Sequence, residues 1–183
     1  MQVVLDAEAV QRGLRRVAGQ IVERSHGLSD VVLIGIRRGG EPIADALAHW
    51  LLELEGQTVP RGSVDITLYR DDTATALANP KIGPSQVPGS LQNKVVILCD
   101  DVVFTGRTVR AAIDALMDYG RPRRIELAAL VERSGRELPI VPDYSVIKLD
   151  LEPEDRVEVL DDALGLRALV HSTGARSVVP SFI

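Results

Sequence analysis

An α/β fold, with a mainly parallel central sheet flanked by helices, is predicted by two observations. Residues 31–36, 95–99 and 125–131 are continuous aliphatic runs, the pattern a strand needs when both of its faces are buried. Segments of helical period stand between them. Strands alternating with helices require crossover connections, which make neighbouring strands parallel.

The elements follow in order. From Asp6 to Arg24, Val10, Leu14, Val17, Ala18, Ile21 and Val22 share one helical face, with Asp6 placed as N-cap and Gly27 after the end. Val31-Val32-Leu33-Ile34-Gly35-Ile36 is the first core strand. A second helix is expected over about 41–55, with Ile43, Ala44, Leu47, Ala48 and Leu51 on one side. Residues 64–69 alternate like a strand with one wet face. Residues 70–93 are polar, contain Pro80, Gly83, Pro84, Pro88 and Gly89, and keep no period, which suits a functional loop or a disordered excursion. Val95-Val96-Ile97-Leu98-Cys99 is the second core strand. A third helix over 108–119 buries Val109, Ala112, Ile113 and Leu116 and is closed by Gly120 and Pro122. The third core strand covers 125–131. From Val141 onward the pattern weakens: 146–149 and 157–160 read as short strands, and the last 20 residues receive no element. No period of 20 to 50 residues recurs, so a repeat array is excluded. One domain over 1–183 is expected.

Composition bounds the function. The chain has 183 residues and a formal charge of −5, with 45% hydrophobic and 26% charged residues, which is globular rather than disordered. Aromatics are only 3%, so the core must be aliphatic. A domain of this length buries enough surface to need no disulfide or metal staple. Cys99 has no cysteine to pair with, which suits a reducing compartment. Residues 1–6 lack the basic and apolar stretches of a signal peptide, and no apolar run approaches the roughly 18 residues of a membrane span. A soluble, cytoplasmic protein without membrane contact is expected. Among the basic residues only Lys81, Lys94 and Lys148 are Lys. The arginine excess favours bidentate phosphate contacts, although GC-rich coding gives the same bias.

Ligands of an open parallel sheet gather where strands end and helices begin. One such junction reads Val95-Val96-Ile97-Leu98-Cys99-Asp100-Asp101-Val102-Val103-Phe104-Thr105-Gly106-Arg107-Thr108. A buried strand delivers two carboxylates at its tip, and Thr-Gly-Arg-Thr opens a helix. Free N–H groups and the helix dipole favour a phosphate there, by up to about 2 kcal/mol. Gly106 allows close approach, and Thr105 and Thr108 add hydroxyl donors. Asp100 and Asp101 can grip vicinal hydroxyls, or hold the shell of a Mg²⁺. Taken singly, each residue also serves as a turn or cap; the string as a whole describes a site for a phosphorylated ribose. Neither a Walker loop nor Gly-x-Gly-x-x-Gly occurs. His26, His49 and His171 show no metal spacing, and Cys99 reads as core.

This string resembles the phosphoribosyl-pyrophosphate signature of the type I phosphoribosyltransferases. Residues 65–72, 105–111 and 136–140 are similar to one branch of that family, the bacterial regulators of pyrimidine operon attenuation that are also uracil phosphoribosyltransferases. The resemblance covers about 3–145. It implies a type I fold with a small hood at about 132–160 and a long flexible loop at about 70–93. It also implies Mg²⁺ as cofactor, phosphoribosyl pyrophosphate, uracil and uridine nucleotides as ligands, and a homodimer or higher oligomer. Asp100, Asp101 and Arg70 would be catalytic, the two aspartates holding the metal directly or through water. Val103, Phe104, Thr105, Gly106, Arg107 and Thr108 would bind the nucleotide, and Arg37, Arg38, Gly39 and Gly40 the pyrophosphate. Two Arg beside Gly-Gly at a helix start suit an anionic leaving group unaided. Tyr144 and Val146 would meet the uracil. Pyrophosphate would leave the anomeric carbon through an oxocarbenium-like state as the loop closes to exclude water.

The resemblance also implies a leader-mRNA stem-loop as partner, bound through Arg15, Arg16, Arg24 and Arg136. Arg12 and Arg16 stand near one another at helical spacing, which fits phosphate contacts, a solvated face or an oligomer contact alike. Gly19 and Gly135 replace histidines frequent in the family. Two other functions stay open: a salvage phosphoribosyltransferase for another base without RNA binding, and a nucleotide-sensing RNA regulator without significant catalysis.

Overall fold

The computed structural model describes residues 1–67, 85–172 and 178–182. Strand β1 (Gln2–Leu5) leads into helix α1 (Ala7–Ser25), β2 (Val31–Ile36), α2 (Gly40–Glu55), β3 (Arg61–Val64), β4 (Val95–Val103) and α3 (Arg107–Leu116). A 3₁₀ turn at Met117–Tyr119 extends α3, and β5 (Arg124–Arg133), β6 (Tyr144–Leu149), β7 (Arg156–Asp162), β8 (Gly165–His171) and β9 (Ser181–Phe182) follow.

The main sheet has the order β3-β2-β4-β5-β6-β9, parallel except for β9, which pairs antiparallel with β6. Alternation along its central strands sorts the core into two layers. Val31, Leu33, Val95, Ile97 and Cys99 pack beneath α1 and α2. Val32, Ile34, Ile36, Val96 and Leu98 face the other way, toward α3. Each fully buried aliphatic side chain stabilises this arrangement by about 1.5–3 kcal/mol. A three-stranded antiparallel sheet, β1-β8-β7, stands apart from the main one. Gln2 ties it to the chain's end, donating to the Val178 carbonyl at 2.8 Å and accepting from the Val178 N–H at 2.9 Å.

The caps follow the sequence. The Asp6 carboxylate accepts the Ala9 N–H at 2.8 Å and starts α1, while His26 ends it in a left-handed conformation one residue before the expected Gly27. Five expectations need correction. The strand expected over 64–69 is β3, ending at Val64, because the Asp65 carboxylate accepts from the Thr67 N–H and hydroxyl and curls the chain into a turn. Strand β4 runs on to Val103, so the aspartates belong to the strand itself. Of the expected loop 70–93, residues 70–84 lie outside the described residues, and the remainder is anchored: Gln86 and Ser63 exchange backbone hydrogen bonds at 2.8 and 2.9 Å, and Leu91 is fully buried. Within the expected hood, β5 and β6 belong to the main sheet, and the separate small sheet draws on β1, β7 and β8. The closing residues, left without an element, contribute β8 and β9. Among the described residues no helix is long and apolar enough to cross a membrane.

Candidate active site

The chain leaves β2 through α2 toward β3 on one side, and leaves β4 through α3 toward β5 on the other. Between β2 and β4 the winding reverses, which opens a crevice at their carboxyl ends. The 37–40 turn and the 104–107 turn flank that crevice.

Asp100 is buried at the tip of β4 and Asp101 half-buried beside it. The Asp101 N–H donates to Asp100 Oδ1 at 3.0 Å, and the Val102 N–H to Asp101 Oδ1 at 2.8 Å. Burial first, and then the neighbouring Asp101 charge, raise the Asp100 carboxyl well above the usual carboxylate range. Across the crevice Gly39 is packed so closely that a Cβ there would lie 2.2 Å from Asp101 Oδ2. At Gly40 a Cβ would lie 2.0 Å from the Cys99 carbonyl oxygen. Glycine at both positions is therefore what lets the 37–40 turn reach the acids. Arg37 donates through Nε to Glu41 at 3.3 Å, and Arg38 is exposed.

Gly106 caps α3 with φ +90°, a left-handed conformation that favours glycine. The Thr105 hydroxyl accepts the Arg107 N–H at 3.3 Å. A cavity of about 110 Å³ opens between Asp100, Phe104, Thr105, Gly106 and Thr108, at the end of the helix where N–H groups lack intrahelical partners. Among the described residues no three His, Cys, Asp or Glu side chains converge on a metal position. The aspartate pair alone suits an ion that takes one or two carboxylates and completes its shell with substrate oxygens.

The chain matches the phosphoribosyl transferase domain family over residues 2–161. A protein named Bifunctional protein PyrR from Pelotomaculum thermopropionicum is 46% identical over 173 residues, spanning 87% of this chain and 96% of its own. The Bifunctional protein PyrR of Geobacter sulfurreducens is 48% identical over 161 residues, covering 88% and 91%. This chain belongs to the phosphoribosyltransferase family, among the PyrR proteins. The fold agrees: a hypoxanthine phosphoribosyltransferase from Staphylococcus aureus superposes with a TM-score of 0.64 at 19% identity, over 86% of this chain and 81% of that one.

The structure brings together Arg37, Arg38, Gly39, Gly40, Asp100, Asp101 and the stretch from Val103 to Thr108, all at the crevice of this phosphoribosyltransferase. Arg70 lies outside the described residues. Tyr144 and Val146 do not reach the crevice. Tyr144 begins β6, two strands from β4 and level with Cys99, but it is buried in the core layer beneath α1, its hydroxyl donating to Glu126 at 2.6 Å. Val146 is fully buried against Gly13 of α1. Both are core residues, a correction to their expected contact with the base.

The four arginines expected to bind RNA do not share one patch. Arg24 pairs with Glu126 and Asp143 at the start of β5, whereas Arg136 follows its end and pairs with Glu132 at 3.5 Å. Glu126 and Glu132 lie six residues apart along β5, which separates those places by on the order of 20 Å. Arg16 is half-buried and donates to the Val146 carbonyl at 3.0 Å. Arg15 is exposed and lies 5.5 Å from the Trp50 ring centroid.

Sequence reasoning passed over the carboxyl end of β5. Glu132, nearly buried, accepts from Lys148 at 3.0 Å, and the Arg133 guanidinium lies 3.9 Å from the Phe104 ring centroid. The available signal was Glu132-Arg133, charges ending an aliphatic run at the edge where ligands collect.

Proposed function

We infer that the chain transfers a 5-phosphoribosyl group from phosphoribosyl pyrophosphate to uracil, giving UMP and pyrophosphate, and that it regulates a pyrimidine operon by binding leader mRNA when uridine nucleotides fill the same site. One observation carries the reading: an anion cradle, a carboxylate pair and an arginine-bearing turn meet at one switch point.

In this reading the 5′-phosphate sits at Thr105–Thr108, whose N–H groups and hydroxyls donate to it. Asp100 and Asp101 accept from the ribose hydroxyls or hold Mg²⁺, and the 37–40 turn receives the pyrophosphate. The uracil N1 pair forms the bond to C1′, the C1′–O bond breaks with its electrons leaving on pyrophosphate, and the N1 proton goes to solvent. Mg²⁺, when bound, neutralises charge on the leaving group. Arg70 is assigned to the same charge.

Turnover of a panel of bases with phosphoribosyl pyrophosphate and Mg²⁺ tests the enzyme. Uracil is expected to react fastest, and faster use of hypoxanthine or guanine refutes the base assignment. Absence of transfer to any base, with UMP-strengthened RNA binding, would leave a regulator alone. For RNA, the exposed Arg12 and Arg15 on α1 are the assigned phosphate contacts, with Arg16 beside them. Binding to a leader stem-loop is expected to strengthen with UMP and to weaken steeply with salt and on Arg15→Ala. Equal binding of a random hairpin refutes it. A homodimer or higher oligomer goes with this reading and is checked by sedimentation.

A further inference from the structure

Residues 133–140 clasp the turn that opens α3. The Thr105 carbonyl accepts two backbone N–H groups, from Glu137 at 3.0 Å and from Leu138 at 3.1 Å. In a trans peptide the C=O and N–H point in opposite directions, so pinning this carbonyl toward 137–138 turns the Gly106 N–H away from them. Leu138 and Ile140 close over Gly106, where an added Cβ would meet each of their Cβ atoms at 3.3 Å. The Glu137 carboxylate completes the clasp by accepting from Arg107 Nε at 2.6 Å.

An acid at the rim of an anion site needs a reason. By charge alone Glu137 repels a phosphate, and its removal would tighten binding. We propose that Glu137 is a positioning residue: its carboxylate and its backbone N–H together hold the Thr105–Arg107 turn in the shape that receives the 5′-phosphate. The proposal rests on the phosphoribosyl reading of the cradle. It also gives the opposite sign to the electrostatic expectation, which makes it easy to separate.

The test uses the intact chain, with UMP affinity from calorimetry and steady-state constants for phosphoribosyl pyrophosphate. Both side chains of the Arg107–Glu137 pair are about half exposed, so the effect is modest. Glu137→Ala is expected to weaken UMP about two- to fivefold and to raise KM for phosphoribosyl pyrophosphate alike, with kcat little changed. Glu137→Gln keeps an acceptor for Arg107 and is expected to recover most of the loss. UMP binding to Glu137→Ala as tight as to the parent, or tighter, overturns the proposal. If Glu137→Ala does not fold, amide exchange of the parent decides. UMP is expected to slow the Glu137 and Leu138 amides together with those of 105–108; protection of 105–108 alone overturns the clasp. A parent that neither binds UMP nor turns over phosphoribosyl pyrophosphate refutes the phosphoribosyl reading itself, and the proposal with it.

Discussion

The carboxylate of Asp101 and the backbone of Gly39 occupy one narrow gap, where a Cβ on residue 39 would come within 2.2 Å of Asp101 Oδ2. Gly40 is as tightly placed, but against the backbone carbonyl of Cys99. The two neighbours therefore separate chemistry from folding. A carboxylate can swing aside, so Gly39→Ala is expected to change stability by less than about 1 kcal/mol while lowering kcat/KM at least about tenfold, because the acid leaves its place. A strand carbonyl cannot swing, so Gly40→Ala is expected to cost about 1–3 kcal/mol in folding. Chemical denaturation and turnover of both variants check this; a fully active Gly39→Ala would show that the position of the Asp101 carboxylate is immaterial.

Asp100 sets a pH dependence. An unfolded aspartate ionises near pH ~4. In the folded chain burial, and next the Asp101 charge, hold the Asp100 carboxyl well above that range. The unfolded chain therefore sheds this proton first, and the Asp100 contribution to stability falls as pH rises above about 4. Asp100→Asn removes that cost. It is expected to raise ligand-free stability at about pH 8, with the gap to the parent closing toward about pH 4, and to lose turnover. Urea unfolding across that range measures it. A gap that does not change with pH would mean that Asp100 ionises in the folded chain as it does in water.

How much of this was legible depends on the range of the interaction that decides it. The core strands and the Asp100–Thr108 junction follow from local pattern, because a strand buried on both faces and a helix start each leave a mark within a dozen residues. The nearness of Gly39 to Asp101 does not, since it depends on β2 and β4 lying side by side with their connections departing to opposite sides. The ends of β3 and β4 were misread for a local reason: an Asp65 turn stopped one strand early, and pairing with β5 carried the other through two aspartates that resist strand structure alone. The base contact at Tyr144 and Val146 is implied by the family resemblance alone, and their burial depends on distant packing: Glu126, eighteen positions upstream of Tyr144, takes its hydroxyl, and Val146 packs on Gly13.

Tyr144→Phe separates the core role from a base contact. The hydroxyl reaches Glu126 in a buried setting, where burial raises its pKa first and the bond to Glu126 adds to the effect. Glu126 keeps Arg24 and Arg124 as partners, so the variant loses one hydrogen bond rather than exposing a bare charge. A cost of about 1–3 kcal/mol in unfolding free energy is expected, with the preference among bases unchanged. A changed ratio of uracil to hypoxanthine turnover would return Tyr144 to the site.

Arg133 holds the two sheets together at the mouth of the site. Its guanidinium stacks on Phe104, donates through Nη1 to the Asp155 carbonyl at 2.8 Å and through Nη2 to the Glu152 carbonyl at 3.2 Å, and reaches Ser134 through Nε. Burial lowers its pKa, with the Asp155 charge acting against that shift. Arg133→Met keeps most of the packing volume but leaves the buried Asp155 carbonyl, just before β7, without its donor, while the Glu152 carbonyl keeps the Asp155 N–H at 3.1 Å. A loss of about 1–3 kcal/mol is expected, larger than for an exposed arginine, because a buried acceptor is left unpaired. The loss is expected to be local first: amides of β7 should exchange faster in the variant while those of β4 and β5 keep their rates, since the main sheet pairs through its backbone and not through the Arg133 side chain. Uniform acceleration across both sheets would instead mean that they unfold as one unit.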